Sequence, residues 1–310
     1  MEENRQRYYR FSTYLKERFG RRVYKVSIDA GFSCPNKDGR LSNKGCIFCD
    51  NHAFSYNSRT DKPKPIMTQI EEGIENAKRR FKAEKFIVYF QAYTNTYAPL
   101  HILRERYNVV KNFKDVVSIA IGTRPDFVND EILELIESYS KDYEVWLEYG
   151  LQSIHNKTLK LINRNHTYQD FLKAYNLTKK RNIKVCAHVI IGLPEEGRNE
   201  IIETAKEMAR LKLDGIKIHP LHIVKGTKLE ELYNKGRYKP LELEEYINLL
   251  VEFLKYLWPD TVIQRVSADC PKELLIAPEW ILDKNRFLGL LDNKLKEEDI
   301  YQGRLYKESN

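Results

Sequence analysis

The chain has 310 residues, 42% of them hydrophobic and 31% charged, with a formal net charge of +8. That length and composition suit one large α/β domain or two small ones with an ample core, and no apolar run reaches the length of a bilayer span. The N-terminal MEENRQRYYRFSTYLKERFG is charged and amphipathic, without the apolar centre of a secretory signal, and five cysteines without regular pairing argue against a disulfide scaffold. The expected setting is a reducing cytoplasm with no membrane partner. The positive balance admits an anionic partner such as nucleic acid, although lysines and arginines solvated along helices account for it more simply.

Residues 4–19 place Tyr8, Phe11, Leu15 and Phe19 at helical spacing, and RVYKVSID, residues 22–29, alternates as a strand does. Just past that strand lies CPNKDGRLSNKGCIFC, residues 34–49, a polar loop with Cys34, Cys46 and Cys49 spaced C-x11-C-x2-C. A charged amphipathic helix is predicted at 66–84, then a buried strand at 86–90 ahead of QAYTNTYAP. Helix 100–113 leads to strand 116–121, which ends in GTRPD, and helix 129–140 leads to strand 144–149, which closes with Gly150-Leu151-Gln152-Ser153. Helices at 155–163 and 168–180 precede strand 183–191 and its GLPE ending; helix 198–211 and strand 215–219 complete the series.

Six strand–helix units in succession predict an α/β fold with a parallel sheet and right-handed crossovers. Six are too few for a closed eight-stranded barrel, so the expectation is a partial (β/α)6 TIM-type barrel with an open side. After Lys225 the pattern loosens into helices near 228–235 and 241–257, a strand at 261–266, and helices near 273–277 and 283–297. This C-terminal helical extension is expected to close the open side. The organisation read from the chain is an N-terminal helix (1–19), the barrel (20–230) and the extension (231–310) packed on it, without a Pro/Gly/Ser-rich linker.

Three thiolates complete neither a four-cysteine iron–sulfur site nor a closed zinc site. A cluster held by three cysteines would keep one iron free for a small molecule. His52, three residues after Cys49, would instead make Cys34, Cys46, Cys49 and His52 a Cys3His zinc set. The polar clusters Cys34–Cys49, Gln91–Thr96, Thr123–Asp126, Gln152-Ser153, Gly192–Glu196 and His219–His222 all follow strands directly. In a parallel barrel those places share one rim, where chemistry collects. A zinc ion that only staples a loop needs no such gathering, so the mouth is expected to bind something besides a metal.

These segments together resemble the radical S-adenosylmethionine enzymes. CIFC matches the end of their cluster loop, although most members have three residues between the first two cysteines. The longer gap, with its CPNKDG start, is similar to the YhcC-type subfamily and to the radical domain of the Elongator catalytic subunit. GLQSIHNKTLKLINRNH carries Gln152 and, twelve residues on, Arg164; GTRPD, GLPEE and HPLHIVKGT match as well, so the resemblance covers about residues 20–230. It implies that Cys34, Cys46 and Cys49 ligate a 4Fe–4S cluster whose fourth iron chelates S-adenosylmethionine. It implies further that an external one-electron reductant such as flavodoxin or ferredoxin starts the chemistry. Gln91, Ala92 and Tyr93 occupy the place of the family's glycine-rich motif, which receives the methionine amine; the usual Gly-Gly-Glu is absent. Arg164 suits a bidentate hold on the carboxylate. Gln152 and Thr123 would meet the ribose, as would His188, which stands where relatives often have aspartate. Phe48 would pack on the adenine, and the backbone at Ile191–Leu193 would bond its edge.

Substrate groups are sought among residues the cofactor does not need. Glu148, His219, His222 and Asp269 are the catalytic candidates, with Asn95, Tyr97, Arg265 and Ser267 beside them. Cys186 and Cys270 read as small hydrophobes. Within the YhcC-like group the leading specific expectation is queuine lyase chemistry, which cleaves a deazapurine base from its cyclopentenediol in queuosine salvage. Radical modification of a nucleoside within tRNA is the alternative, and a non-catalytic zinc-binding module that docks on RNA or protein is the second.

Overall fold

The computed structural model describes residues 6–59 and 63–308. The six expected strands are β1 (Val23–Ile28), β2 (Lys85–Phe90), β3 (Val116–Thr123), β4 (Glu144–Gln152), β5 (Lys184–Ile191) and β6 (Gly215–Pro220). Two short strands, β7 (Ile223–Val224) and β9 (Leu275–Ala277), pair antiparallel with each other, and β8 (Val262–Arg265) lies parallel beside β6. The main sheet therefore has seven strands in the order β1-β2-β3-β4-β5-β6-β8, all parallel, curled into a half-barrel. Helices α1 (Phe11–Phe19), α2 (Asn51–Phe54), α3 (Ile66–Phe81), α4 (Leu100–Asn108), α5 (Asp130–Glu137) and α6 (Asn156–Leu161) run through the first half of the chain. They are followed by α7 (Tyr168–Lys179), α8 (Arg198–Arg210), α9 (Lys228–Asn234), α10 (Leu243–Tyr256) and α11 (Lys284–Glu297). None of these helices is long and apolar enough to cross a membrane.

The two faces of the sheet follow from the two-residue period of the strands. Val26, Ile28, Val88, Phe90, Ile119, Ile121, Val145, Leu147, Val185, Val189, Ile216 and Ile218 belong to one buried cluster with the helix layer. Each such side chain contributes roughly 1.5–3 kcal/mol when fully withdrawn from water. The alternate positions face the lumen. At its floor Ile87, Ala120, Trp146, Cys186 and Val262 pack against Tyr14 and Leu15 of α1. Glu144 ties that plug down, accepting hydrogen bonds from the Tyr14 hydroxyl at 2.6 Å and the Trp146 indole at 2.8 Å. Two residues further along the strands the lumen turns polar, with Tyr89, Glu148, His188, Lys217 and Gln264. A TIM-type interior is normally filled with branched apolar side chains, so this charged layer needs a reason.

Several expectations change in detail. The N-terminal helix starts at Phe11, and residues 4 and 5 of the expected 4–19 span lie outside the described residues. Before it the chain is extended, because the Tyr9 carbonyl accepts the Ile263 N–H at 2.8 Å and Arg10 bridges to Ile263 on β8. The seam between the edge strands β1 and β8 is thus spanned by the N-terminal segment. The C-terminal extension supplies β8 itself and the outer helices α10, which packs beside α8, and α11, which packs against α10. The segment expected as a helix at 273–277 contains β9 instead, because Leu275 and Ala277 find ladder partners in Val224 and Ile223.

Candidate active site

The cysteine loop leaves β1 and folds back on itself through short backbone bonds. The Cys34 carbonyl accepts the Lys37 N–H at 2.8 Å, and the Asn36 carbonyl accepts the Gly45 N–H at 2.7 Å. Gly45 has φ +71°, a conformation that costs a side-chain-bearing residue steric strain. Cys46 is buried and Cys34 and Cys49 are half-buried. The Cys46 sulfur faces the Asn36 amide at 3.5 Å and the Arg164 Nη1 at 3.6 Å. Burial, then the neighbouring Cys46 thiol and more weakly Cys34, pushes the Cys49 thiol up to about 12. A cationic partner would be needed to hold the three sulfurs there as thiolates.

Three cysteines are the donor set of a cluster with one iron left open, whereas a closed zinc site needs a fourth protein ligand. One zinc ion would draw every donor to about 2.3 Å from a common point. Among the described residues no group of three or more His, Cys, Asp or Glu side chains has that arrangement. His52, the fourth ligand of the zinc expectation, is exposed and turns its Nδ1 to the Asp50 carboxylate at 3.2 Å.

A second segment, residues 150–166, is locked against this loop. Asn163 and Asn165 both take positive φ, which asparagine tolerates better than most residues. Asn36, fully buried, donates to the Asn163 carbonyl at 2.7 Å and accepts from the Asn165 amide at 2.6 Å. Arg164 is buried and donates Nη2 to the Gly150 carbonyl at 2.6 Å. A Cβ on Gly150 would come within 2.7 Å of that nitrogen, so glycine is required for the approach. Arg124 of the GTRPD segment braces the far side. It is 2% exposed, pairs its Nε–Nη2 edge with the two Asp126 oxygens at 2.9 and 2.8 Å, and donates Nη1 to the Arg164 carbonyl at 2.9 Å. Sequence reasoning named the GTRPD and NRNH segments yet missed Asn36 and Arg124 as the parts that join them.

A cavity of about 780 Å³ opens beside the loop, reaching it at Phe48 and Asn51. Gln91, Ala92, Tyr93, Gln152, His188, His219, His222 and Asp269 all line it. Gln152 sits at a bulge in β4 with φ +76°, and Tyr93 has φ +64°. Phe48 packs with Leu193, Ile190 and Leu221 in a small apolar cluster at the cavity wall. Other expected residues have partners of their own. Thr123 points away from the lumen, and its hydroxyl shares a 2.6 Å hydrogen bond with Thr96. The Ile191 side chain belongs to the outer core, and its carbonyl already accepts the Leu221 N–H at 2.9 Å. The Leu193 carbonyl likewise accepts the Glu196 N–H at 3.1 Å. Asn95 spends its amide on the Phe90, Ala92 and Gly122 carbonyls, pinning the 91–93 turn.

The catalytic candidates separate into lumen and rim. Glu148 has a fully buried side chain and accepts from Lys25 at 3.0 Å, from His188 at 2.8 Å and from Lys217. Burial alone would raise its carboxyl, but Lys217, Lys25 and His188 outweigh it and hold the group well below the usual carboxylate range. Burial pulls Lys217 down to about 8 against the attraction of Glu148, and pulls His188 down to about 4, helped by Lys217. His219 lies with its ring centre 5.4 Å from that of His188 and is held neutral by burial and by that neighbour. His222 faces the Pro220 carbonyl through Nδ1 at 3.3 Å and leaves Nε2 buried without a partner. Asp269 is on the rim, 57% exposed, with Arg265 at 3.2 Å and Lys284 at 3.5 Å. Cys270 also lines the cavity, a thiol pushed up to about 11, chiefly by burial. Lys25, Lys217 and Gln264 were not anticipated, because each is a single polar residue in a strand that reads as ordinary alternation.

Comparison with known proteins adds a consistent set of relatives. Residues 39–208 match the radical SAM superfamily and residues 213–297 match the radical SAM C-terminal domain. The chain is 38% identical to YtqA of Bacillus subtilis over 97% of this chain and 93% of that one. It is 38% identical to YhcC of Escherichia coli K12 over 92% of this chain and 91% of that one. A tRNA uridine(34) acetyltransferase of Methanocaldococcus jannaschii is 31% identical over 52% of this chain and 30% of its own length. Among solved structures, an archaeal Elp3 from Methanocaldococcus infernus superposes with a TM-score of 0.67 at 19% identity, over 90% of this chain and 64% of that one. At that identity the likeness concerns the fold.

Proposed function

The chain belongs to the radical SAM superfamily, enzymes that use a 4Fe–4S cluster and S-adenosylmethionine, and from that premise we propose that it modifies a nucleoside within tRNA. Cys34, Cys46 and Cys49 would hold the cluster. Arg164, with its Nη1 edge facing Cys46, balances the charge there and presents a donor toward the cofactor carboxylate. Gln152 and the turn at Gln91–Tyr93 border the space for the ribose and amine, and Phe48 provides an apolar shelf for the adenine. When bound and reduced by an external one-electron donor, the cofactor pair supplies a 5′-deoxyadenosyl radical able to abstract hydrogen from an unactivated carbon. The chain's own residues orient that carbon, exclude water and keep His188 and His219 neutral beside it.

The observation that carries the tRNA reading is the charge of the mouth. Among the described residues Lys25, Arg59, Lys217 and Arg265 line the cavity against two carboxylates, Asp269 on its wall and Glu148 paired with the two lysines, which leaves positive charge in excess. A polyanionic substrate is drawn to such a rim. The relative that acts on tRNA uridine and the net charge of +8 point the same way. Queuine lyase is the second reading, favoured by a cavity large enough for a deazapurine with its cyclopentenediol. A lumen with excess positive charge opposes that ligand, whose linking amine is itself basic. The zinc-module reading has neither a single-ion geometry among the described residues nor His52 in position. The test is to incubate reduced holoenzyme and S-adenosylmethionine with bulk tRNA or with free queuine and measure 5′-deoxyadenosine. Stimulation by tRNA is expected; stimulation by queuine alone would replace this reading with the lyase.

A further inference from the structure

The charged layer of the lumen is larger than its one carboxylate can use. Glu148 is saturated: Lys25 occupies Oε1, while Lys217 and His188 occupy Oε2. The Lys25 ammonium spends a second hydrogen on the Gln264 Oε1 at 3.0 Å and retains a third. The Lys217 ammonium has one partner of this kind and stands 4.2 Å from the centre of the Tyr89 ring, which leaves N–H groups free. The Gln264 Nε2 is buried without any partner. All of these residues except Glu148 line the cavity. Lys25 and Lys217 against Glu148 leave one unit of positive charge, with His188 and His219 neutral. Arg265, on β8, is balanced separately by Asp269. A lone buried cation with unspent donors is costly unless an anion completes it.

We propose that Lys25 and Lys217, with Gln264 fixing Lys25 in place, form a subsite for a carboxylate, so that the substituent entering the lumen belongs to a substrate bearing a carboxylate group. A carboxylate supplies two acceptor oxygens in one plane and one negative charge, matching two ammonium groups that carry one unbalanced positive charge. The site is distinct from Arg164, which lies beside Cys46. The inference deepens the tRNA reading and rests on it for the identity of the substrate, whereas the subsite itself is tested without tRNA.

The experiment is calorimetric titration of acetate into reconstituted holoenzyme at constant ionic strength, with S-adenosylmethionine bound and no reductant present. Saturating the cofactor site removes Arg164 from competition. Saturable acetate binding is expected, weakened about tenfold or more by Lys217→Met and by Lys25→Met, each of which leaves Glu148 in a neutral pair. Two lysine variants guard against one failing to fold. Glu148→Gln, which raises the excess charge, is expected to bind acetate more tightly. Equal affinity in wild type and Lys217→Met, or no saturable binding in wild type, would overturn the subsite and make the cluster purely architectural. Tighter binding of inorganic phosphate with the same lysine dependence would overturn the choice of carboxylate. Acetate binding as expected with no response of 5′-deoxyadenosine to tRNA would keep the subsite and remove the tRNA reading.

Discussion

The two sides of the mouth are built on opposite plans. On the cysteine side, two short stretches, residues 34–49 and 150–166, are laced together by amide and guanidinium bonds at 2.6–3.6 Å. On the lumen side, Lys25, Glu148, His188, Lys217 and Gln264 arrive from five strands, with Lys25 and Gln264 separated by 239 positions. The first side is specified locally, by glycines and asparagines that permit positive φ. The second exists only once the sheet has curled and its register is set. On the proposed reading, cofactor machinery of the first kind travels as a motif, whereas substrate machinery of the second kind is a property of the assembled lumen.

That difference predicts different failures. Cys46→Ala should abolish turnover, by a factor of a thousand or more, and remove the broad absorption near about 400 nm expected of a thiolate-ligated cluster. It should leave the thermal unfolding of the apoprotein almost unchanged, because the thiol contributes little packing that alanine does not. A variant that keeps its iron and colour would mean that the cysteine loop is not the cluster site, and the contrast between the two sides would collapse. Iron content and the visible spectrum of the anaerobically reconstituted protein decide the matter.

Glu148→Gln should do the reverse. Removing the carboxylate leaves Lys217 and Lys25 facing each other in a buried layer, at a cost of about 3–5 kcal/mol. Denaturant melts should show part of that loss recovered in the double variant with Lys217→Met. The same layer sets an acid limit. His188, held at about 4 against an ordinary 6.5, binds fewer protons folded than unfolded, so stability falls as pH drops through that window. Glu148 is held well below its ordinary 4.5, so the unfolded chain takes up a further proton below that pH and the loss steepens. Each group contributes up to about 1.4 kcal/mol per pH unit inside its window. Chemical melts between pH 7 and 4 should show a shallower decline for His188→Asn, and an unchanged slope would mean that the imidazole is not kept neutral by the fold.

How much of this was legible follows from the same contrast. The six strands read correctly because their outward faces carry mostly Val, Ile and Leu at a two-residue period, and the cysteine loop could be singled out because spacing is a linear property. Asn36 was hidden in plain view between a proline and a lysine, since only the folded chain brings it to Asn163 and Asn165. Thr123 was misplaced because the alternation that turns Gly122 inward turns its neighbour out. Lys217 sits between Ile216 and Ile218, which hides it from any reading of motifs; only its partner across the lumen gives it meaning. The N-terminal segment was taken for a continuous helix because its apolar spacing does not record that β8 needs an edge partner at Tyr9.

The smallest expected effect is on the rim. Asp269 was a candidate for a catalytic role on the same footing as Glu148, both being carboxylates near strand ends. Their surroundings differ in the way that decides electrostatic worth. Glu148 is fully withdrawn from water, whereas Asp269 is 57% exposed and shares its charge between Arg265 and Lys284 at 3.2 and 3.5 Å. Exposed pairs of that kind contribute between zero and about 1 kcal/mol, reduced further by salt. Asp269→Asn should therefore shift stability by less than about 1 kcal/mol and leave turnover at saturating substrate within about threefold of wild type. Its visible consequence should be on encounter: freeing Arg265 makes the rim more positive, so association with a polyanionic substrate should quicken at low ionic strength and the gain should vanish with added salt. Stopped-flow association measured across a salt series reads this directly. A collapse of turnover in Asp269→Asn at saturating substrate would place a reacting atom at the rim, and the division between a rim that attracts and a lumen that holds would have to be redrawn.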